Sequence, residues 1–269
     1  MTSDYESRPL LCIDVGNTHV VLGLWSGTTW LRRWRLKTNP RATADEYAVY
    51  LDALLQDESC SDLHGVAIAS VVPAVTATLG QWATRYLDIE PAVLGPEDVG
   101  LERIRYDEPY QLGTDRLANA VAAYARIGGA VLVVDCGTAT KFEFVDQQGV
   151  YWGGAIAPGL GIASDALFSR TARLYRVPLA VPTHVIGRNT AQALQVGLLY
   201  GHAALIDGMI QRMRAESGIP APVIATGGFA GLVAPLCRRV DEVVDSLTLD
   251  GIRLIFTMRQ ERKRGSTEP

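Results

Sequence analysis

Runs of apolar residues separated by polar turns organise this sequence into short strands and amphipathic helices. Residues 10–13 and 130–134 are continuously apolar, which is typical of strands buried on both faces. Apolar residues at helical spacing predict helices over residues 113–126, 189–216 and 249–259. The charged residues that follow the last helix predict a frayed end to the chain.

Both buried strands are followed by the same kind of turn. The first strand ends in Asp14-Val-Gly-Asn-Thr and the second in Asp135-Cys-Gly-Thr, and a further strand follows each turn. The two aspartates lie nearly half the chain apart. A strand, an Asp-x-Gly turn and a hairpin used twice predict two domains of one topology with a cleft between them.

The composition is that of an ordinary folded protein and argues against nucleic acid as a partner. With 48% hydrophobic and 20% charged residues in a length of 269, the chain has enough apolar surface to form a core. Its net charge of −4 lacks the excess of Lys and Arg that nucleic-acid-binding proteins usually carry.

The cysteines and the start of the chain predict a soluble, cytoplasmic protein. The first nine residues are polar and partly acidic, unlike a signal peptide. The uncharged stretch over residues 65–84 contains Pro73 and several Ser and Thr, so we interpret it as a core strand and a helix, and expect no membrane partner. No Cys-x-x-Cys pair predicts a zinc cluster, and the spacing argues against a disulfide framework; the four cysteines are Cys12, Cys60, Cys136 and Cys237.

The first turn has the features of a phosphate site. Gly16 lets backbone N–H groups approach an anion, and Thr18 adds a hydroxyl donor. Asp14, at the end of the strand, can hold a hydrated Mg²⁺. An ordinary hairpin turn explains the same residues. The second turn strengthens the phosphate interpretation, because two such turns could clamp a polyphosphate whose charge is neutralised by cations.

A helix that opens at Gly113-Thr-Asp-Arg supplies the candidate base. Asp115 could orient a hydroxyl group and accept its proton late in phosphoryl transfer, while Arg116 orients an anionic group. The alternative is a simple helix cap, in which the helix dipole favours Asp.

Other motifs are less specific. The glycine-rich stretches at residues 153–159 and 226–228 either line a ligand site or simply turn the chain. Lys141 is interpreted as a solvated strand residue. The four histidines show no metal-ligand spacing, and the sequence contains no Walker A, dinucleotide-binding or hydrolase-elbow motif.

The order and spacing of several short motifs resemble those of one known family. The motifs are Asp14-Val-Gly-Asn-Thr, Tyr106 ahead of Gly113-Thr-Asp-Arg, Asp135-Cys-Gly-Thr, Gly153-Gly-Ala-Ile-Ala-Pro-Gly, Gly187-Arg-Asn-Thr and Thr226-Gly-Gly. From about residue 11 to 258, the chain resembles the type III pantothenate kinases of the acetate/sugar kinase–Hsp70–actin superfamily. The resemblance implies an α/β fold of two ribonuclease-H-like domains, with mixed sheets flanked by helices, over residues 1–116 and 117–269.

The resemblance also implies an activity. A cytoplasmic homodimer would use ATP to phosphorylate pantothenate to 4′-phosphopantothenate, the first step of coenzyme A biosynthesis, at a cleft between the domains. Asp115 would be the catalytic base. The implied ATP contacts are Asp14, Val15, Gly16, Asn17, Thr18, His19, Val20, Val21 and Thr138. The implied pantothenate contacts are Tyr106, Gly113, Thr114, Asp115, Arg116 and Thr190, the last in a site completed across the dimer interface.

The resemblance implies two cation sites, and the sequence departs from the family's usual pattern at three positions. The resemblance places Mg²⁺ near Asp14 and a monovalent cation, K⁺ or NH₄⁺, at Asp135. Glu143 stands where Asp is usual, and Tyr175 where Pro is usual. Lys141 replaces what is commonly Thr, and its ammonium group could partly substitute for K⁺.

Two alternative functions fit the same motifs. One is a nucleotide-binding accessory or regulatory relative with little or no catalysis, and the other is a kinase for another small hydroxy acid or sugar. A kinase is favoured by the intact set of Asp14, Asp115, Arg116 and Asp135. Tyr106 and Thr190, together with Gly113-Thr-Asp-Arg, favour pantothenate through the resemblance.

Overall fold

The chain folds into two α/β units, seen in a computed structural model that describes residues 8–55, 63–169 and 175–265. Unit 1 comprises Met1–Ala122 and Thr248–Pro269, and unit 2 comprises Ala123–Leu247. The sequence places the end of the chain with the second half, whereas the structure includes it in unit 1.

Unit 1 contains the first five strands, which form a sheet flanked by helices. The strands are β1 (Leu10–Val15), β2 (His19–Trp25), β3 (Trp30–Lys37), β4 (Gly65–Ser70) and β5 (Ala92–Val93), in the sheet order β3-β2-β1-β4-β5. The helices that begin in this part of the chain are α1 (Ala44–Leu55), α2 (Pro73–Leu87), α3 (Pro96–Val99) and α4 (Thr114–Ile127), with short 3₁₀ turns at Leu101–Arg103 and Pro109–Gln111.

Unit 2 repeats this plan. Its elements are β6 (Val131–Cys136), β7 (Ala139–Val145), β8 (Tyr151–Pro158), α5 (Leu160–Ser169), α6 (Thr190–Ser217), β9 (Val223–Thr226), α7 (Ala230–Val233), a 3₁₀ turn (Ala234–Leu236) and β10 (Glu242–Val243). The sheet order is β10-β9-β6-β7-β8. The last helix, α8 (Leu247–Gly265), returns to unit 1.

The central strands of the two sheets occupy equivalent places. β1 pairs antiparallel with β2 and parallel with β4, while β6 pairs antiparallel with β7 and parallel with β9. Each predicted phosphate turn therefore connects a central strand to its antiparallel neighbour. The prediction of two α/β domains with mixed sheets is confirmed.

Each unit has its own apolar core. The core of unit 1 includes the fully buried Leu11, Ile13, Leu22, Leu79 and Trp82. The core of unit 2 includes Leu132, Val134, Phe142, Leu199 and Ile206. Burying a side chain of this size contributes about 1.5–3 kcal/mol, so these residues hold the central strands in register. Of the cysteines, Cys12, Cys136 and Cys237 are free, and Cys60 lies outside the described residues.

One described helix, α6, is long and apolar enough to cross a membrane by length and composition. Its most apolar 18-residue stretch is 39% buried. Leu198, Leu199, Ala203 and Ile206 on this helix belong to the core of unit 2. A core helix meets the same criterion, because it too must be apolar along its buried face.

β8 lies in a glycine-rich segment for which the sequence predicts a loop, and that prediction is wrong because a strand spans Tyr151–Pro158. Its glycines and Pro158 are poor strand formers, so propensity argues against a strand there. The register explains Gly154, which pairs with Glu143 on β7, because a Cβ at this position would overlap the backbone of Phe142. Close approach of the two backbones therefore requires glycine.

α8 continues to Gly265, so the predicted fraying of residues after 260 is wrong for the described part of the tail. Arg259 donates to the carbonyl oxygen of Val93 at 2.9 Å and lies 3.3 Å from the carboxylate of Asp98. Arg262 donates to the carbonyl oxygen of Val99 at 2.9 Å. These contacts within unit 1 hold the last turns of the helix. They join residues that are far apart in the sequence, so the sequence alone does not predict them.

The packing of α8 gives a test with a matched control. A Cβ at Gly251 would overlap the backbone of Ala118 on α4, whereas a Cβ at Gly80 on α2 would have no neighbour within 4 Å. We expect Gly251→Ala to lower the free energy of unfolding by about 1–3 kcal/mol, because the two helices must separate. Gly80→Ala should raise it by about 0.5–1 kcal/mol through helix propensity. Urea unfolding measures both, and equal effects would contradict the close packing.

Candidate functional site

The first predicted turn is closed by backbone contacts and by Thr38. Gly16 donates its N–H to the carbonyl oxygen of His19 at 3.0 Å. Thr38 donates its hydroxyl to the carbonyl oxygen of Gly16 at 2.6 Å and its N–H to that of Thr18 at 3.0 Å. Asn17, Thr18 and His19 are exposed at the end of the sheet. No motif marks Thr38, because its contact depends on the pairing of β2 with β3.

The residues on either side of the turn divide between core and surface. Val15 and Val20 are fully buried in the core of unit 1, and Val21 is half-buried. The two buried valines pack in the core beneath the turn and have no side-chain surface exposed to solvent. Asp14 is half-buried at the end of β1. Of the residues around the first turn that are expected to bind ATP, Asn17, Thr18 and His19 are therefore the exposed ones.

The surroundings of His19 are cationic. Its pKa is lowered from the ordinary value by partial desolvation, and then by the positive charges of Arg35 and Lys37 on β3. Lys37 pairs with His19 in the β2–β3 register. The imidazole is therefore neutral near pH 7, and the fixed charges beside it come from β3. Such a surface favours an anion.

Asp14 fits a divalent cation that is shared with phosphate. Among residues 8–55, 63–169 and 175–265, no group of three or more His, Cys, Asp or Glu side chains could hold a metal ion. Mg²⁺ in phosphate-binding enzymes needs only one or two carboxylates, since phosphate and water oxygens complete its coordination. A carboxylate beside an exposed turn with a phosphate-binding pattern meets that need.

The second predicted turn is tighter than the first. Gly137 donates its N–H to the carbonyl oxygen of Ala139 at 3.1 Å, so this turn closes one residue earlier than that at Gly16. Asp135 is buried before the turn, and Thr138 is exposed at its tip. Thr138 therefore lies at the solvent-exposed end of the unit 2 sheet.

The glycine turn after β9 lies against the second turn. Asp135 pairs with Thr226 in the β6–β9 register, and Phe229 donates its N–H to the carbonyl oxygen of Cys136 at 2.9 Å. Gly227 adopts φ +95°, and a Cβ there would overlap the carboxylate of Asp135. The structure therefore brings together two motifs of unit 2 that the sequence identified separately.

Lys141 forms a partly buried ion pair with Asp135. The Lys141 Nζ lies 2.8 Å from the Asp135 Oδ2, and the two side chains are 16% and 12% exposed. The interpretation of Lys141 as a solvated strand residue is therefore wrong. Its partner faces it across the β6–β7 hairpin, a register that the turn length sets.

The ion pair bears on the monovalent cation expected at Asp135. One carboxylate oxygen already has an ammonium group as its partner, and the positive charge of that group repels a second cation. Glu143, the other carboxylate expected nearby, is fully buried and accepts a hydrogen bond from the hydroxyl of Tyr151. The residues around Asp135 therefore do not fit an added K⁺ or NH₄⁺.

The helix that carries the candidate base begins as predicted. α4 starts at Thr114, whose hydroxyl lies 3.4 Å from the carbonyl oxygen of Leu94. Asp115 is half-buried and accepts the N–H of Arg116 at 2.8 Å. A carboxylate in the first helical turn is favoured by the helix dipole. The capping alternative is thus part of the observed geometry.

Arg116 and Tyr106 come together in unit 1 as the motif spacing suggested. The guanidinium carbon of Arg116 lies 5.8 Å from the centre of the Tyr106 ring. Arg116 is buried and Tyr106 is half-buried. A cation held within about 6 Å of an aromatic face gains a stabilising electrostatic contact, which fixes the arginine in place.

A cavity of about 440 Å³ opens beside the start of α4. It is lined by Ser70, Val71, Leu94, Gly95, Pro96, Glu97, Tyr110, Gln111, Leu112, Gly113 and Thr114. Only Gly113 and Thr114 were identified from the sequence. Two other lining residues, Ser70 and Val71, could have been predicted from the sequence, because they end the apolar run at residues 65–72 and ligands bind at the carboxyl ends of parallel strands.

The cavity adjoins the end of β1 within unit 1. Asp14 pairs with Ala69 and Val15 with Ser70 in the β1–β4 register, and Ser70 lines the cavity. Asp14, the turn that follows it and the start of α4 therefore gather at one end of the unit 1 sheet.

Thr190, the remaining residue expected to contact pantothenate, belongs to unit 2. It is exposed as the first residue of α6, and the carbonyl oxygen of the Asn189 side chain accepts the N–H of Gln192 at 2.9 Å to cap that helix. Tyr175, which stands where the family usually has Pro, is exposed. Residues 170–174 lie outside the described part of the chain. The lining of the unit 1 cavity does not include Thr190.

Comparison with known proteins identifies the family. A sequence profile of type III pantothenate kinase matches residues 10–212. A type III pantothenate kinase of Moorella thermoacetica is 45% identical over 249 residues, covering 92% of this chain and 98% of the relative. The chain belongs to the type III pantothenate kinase family. The corresponding protein of Thermomicrobium roseum is 47% identical over 260 residues, covering 96% and 100%.

Solved structures agree on the fold alone. A putative Baf family transcriptional activator from Campylobacter jejuni has a TM-score of 0.58 at 19% identity, covering 93% of this chain and 99% of that one. A ROK family protein from Streptococcus pneumoniae has a TM-score of 0.55 at 11% identity, covering 96% and 100%. These neighbours confirm the predicted fold of the actin and sugar-kinase type. The kinase names of the curated relatives do not favour the accessory alternative.

Thr38 gives a test of the first turn in this kinase. We expect Thr38→Val to weaken ATP binding about 2–10-fold, because losing one neutral hydrogen bond to the turn costs about 0.5–1.5 kcal/mol. Thr38→Ser keeps the hydroxyl and should bind like the wild type. Calorimetric titration with ATP measures both. An unchanged affinity in Thr38→Val would show that the turn does not depend on this bond.

Proposed function

We propose that this kinase transfers the γ-phosphoryl group of ATP to the primary hydroxyl of pantothenate, giving 4′-phosphopantothenate in the first step of coenzyme A biosynthesis. The observation that carries the proposal is the match to the family over most of the chain. The cavity at the start of α4 supports it independently, because it lies beside the candidate base.

The cavity suits a small, polar, flexible substrate. Its volume of about 440 Å³ lies in the range of pockets that bury small molecules. Its lining mixes apolar side chains with the hydroxyls of Ser70, Tyr110 and Thr114. We propose that pantothenate binds there, with Arg116 and Tyr106 contacting its polar groups.

Asp115 acts as the base in this proposal. Its position in the first turn of α4 holds one oxygen on the N–H of Arg116, so the carboxylate is oriented before substrate binds. In a loose phosphoryl-transfer transition state the base need only orient the hydroxyl and accept its proton late. A fixed carboxylate suffices for both tasks.

The phosphates of ATP are held in this proposal by residues of the two turns. Exposed residues 17–19 supply N–H and hydroxyl donors in this proposal, and Thr138, exposed at the tip of the second turn, supplies a further hydroxyl. Asp14 holds Mg²⁺, which would neutralise charge on the transferred phosphoryl group. The turn at Gly227 lets a nucleotide approach its backbone closely in this proposal, since glycine carries no side chain of its own.

A homodimer completes the proposal, with Thr190 reaching the substrate of the partner subunit. Support comes from the segment that leads into α6, where Val181, Val185 and Ile186 are exposed apolar residues. Ile186 is 83% exposed, only a few residues before Thr190. A cluster of exposed apolar side chains is typical of an interface.

The base has a direct test. We expect Asp115→Asn to lower kcat about 10²–10⁴-fold with little change in ATP affinity, because the amide cannot accept the proton. Asp52→Asn, which neutralises an exposed carboxylate on α1, is the matched control. Steady-state kinetics with pantothenate measure both. Activity of Asp115→Asn within a few-fold of the wild type would leave Asp115 as a capping residue.

The dimer has a separate test. We expect Ile186→Asp to yield a folded monomer with the activity largely lost, because a charge would be buried at the interface. Val49→Asp, at an exposed apolar position on α1, should leave both assembly and activity unchanged. Sedimentation velocity and kinetics at the same protein concentration measure the outcome. A fully active monomer would contradict the role of Thr190 across an interface.

A further inference from the structure

The fold holds the side chain of Lys141 in a fixed position beside Asp135. It stands directly opposite Asp135 in the β6–β7 register, and its Nζ lies 2.8 Å from the Asp135 Oδ2. Both side chains are largely removed from solvent. A buried ion pair of this kind is weak evidence of added stability, because desolvation of both charges offsets their attraction. Its placement next to an exposed turn points to a role in binding.

The other oxygen of Asp135 is enclosed by backbone. A Cβ built at Gly137 would lie 3.2 Å from the Asp135 Oδ1, and one at Gly227 would overlap the same atom. The two glycine turns therefore pack against Oδ1, and Lys141 covers Oδ2. The carboxylate is surrounded by this chain's own groups on both sides.

The first turn provides an internal comparison. In the β1–β2 hairpin, Asp14 faces Val21, whereas in the equivalent hairpin of unit 2 Asp135 faces Lys141. The two hairpins thus share a topology but differ in whether the strand itself brings a cation to the aspartate. Only the second turn carries a built-in positive charge at this register position.

We propose that the ammonium group of Lys141 takes the place of the monovalent cation that the family resemblance implied at Asp135. Lys141 is then a positioning residue: it neutralises Asp135 and keeps a unit positive charge beside the turn that holds Thr138. An alkylammonium has the charge and the hydrogen-bond donors of NH₄⁺. Because it is tethered, it is present at any concentration of salt. This inference rests on the proposed function, since it assumes that the second turn meets the phosphates of ATP.

The test compares cations at constant ionic strength. The wild type, with Mg²⁺-ATP and pantothenate, should turn over at rates within about twofold in potassium, ammonium, sodium and choline chloride, because its own ammonium group is already at Asp135. Constant ionic strength keeps the screening of surface charges equal among the four salts. Lys141→Thr should lose about 10²-fold in rate in choline, the effect typical of removing one charge-stabilising group. Replacing choline with potassium or ammonium should raise the rate of Lys141→Thr at least about tenfold.

Two further variants separate charge from fold. Lys141→Arg keeps the positive charge and should remain independent of potassium. Lys263→Thr, which removes an exposed lysine from α8 in unit 1, should behave as the wild type in every salt. A wild type that is inactive in choline and active in potassium would overturn the inference while leaving the proposed function intact.

A second readout does not depend on turnover. The thermal unfolding midpoint of Lys141→Thr should rise by at least about 2 °C when choline is replaced by potassium, because a cation that binds the folded state stabilises it. The midpoint of the wild type should not respond to the same exchange. If no variant shows kinase activity in any salt, the proposed function fails and these midpoints still decide the cation question. A potassium-dependent midpoint in the wild type would overturn the inference.

Discussion

The end of a strand buried on both faces, where an aspartate meets a glycine turn, is the constraint on which both units depend. There the backbone leaves the sheet, and its polar groups need partners outside the ladder. In each unit the central strand is fixed by an antiparallel neighbour on one side and a parallel neighbour on the other. A one-residue slip would move every core side chain to the wrong face, so the aspartate cannot drift.

The same constraint lets the two turns differ in chemistry while sharing a topology. What faces the aspartate is decided by one position in the neighbouring strand, Val21 in unit 1 and Lys141 in unit 2. A single substitution there changes the local charge without disturbing the core. The duplicated architecture thus lets the charge beside the aspartate differ between the two units while the pairing of the strands stays the same.

The features predicted from sequence were those that local pattern determines. The apolar runs of β1 and β6, their turns and the start of α4 at Thr114 follow from the residues themselves. β8 was wrongly predicted as a loop, because glycines are poor strand formers and their role in close backbone packing is not visible in the sequence. The cavity lining, the contact of Thr38 and the ion pair of Lys141 each join residues through tertiary pairing. Their distances follow from register and packing, which a single sequence does not display.

The identity of the phosphorylated product decides the function of this enzyme. It can be read by mass spectrometry after incubation of the purified protein with Mg²⁺-ATP and an equal mixture of pantothenate, glucose and glycerate. We expect the mass gain of one phosphoryl group on pantothenate alone. Phosphorylation of the sugar or the other hydroxy acid in preference to pantothenate, or no phosphorylated product from folded protein, would contradict it.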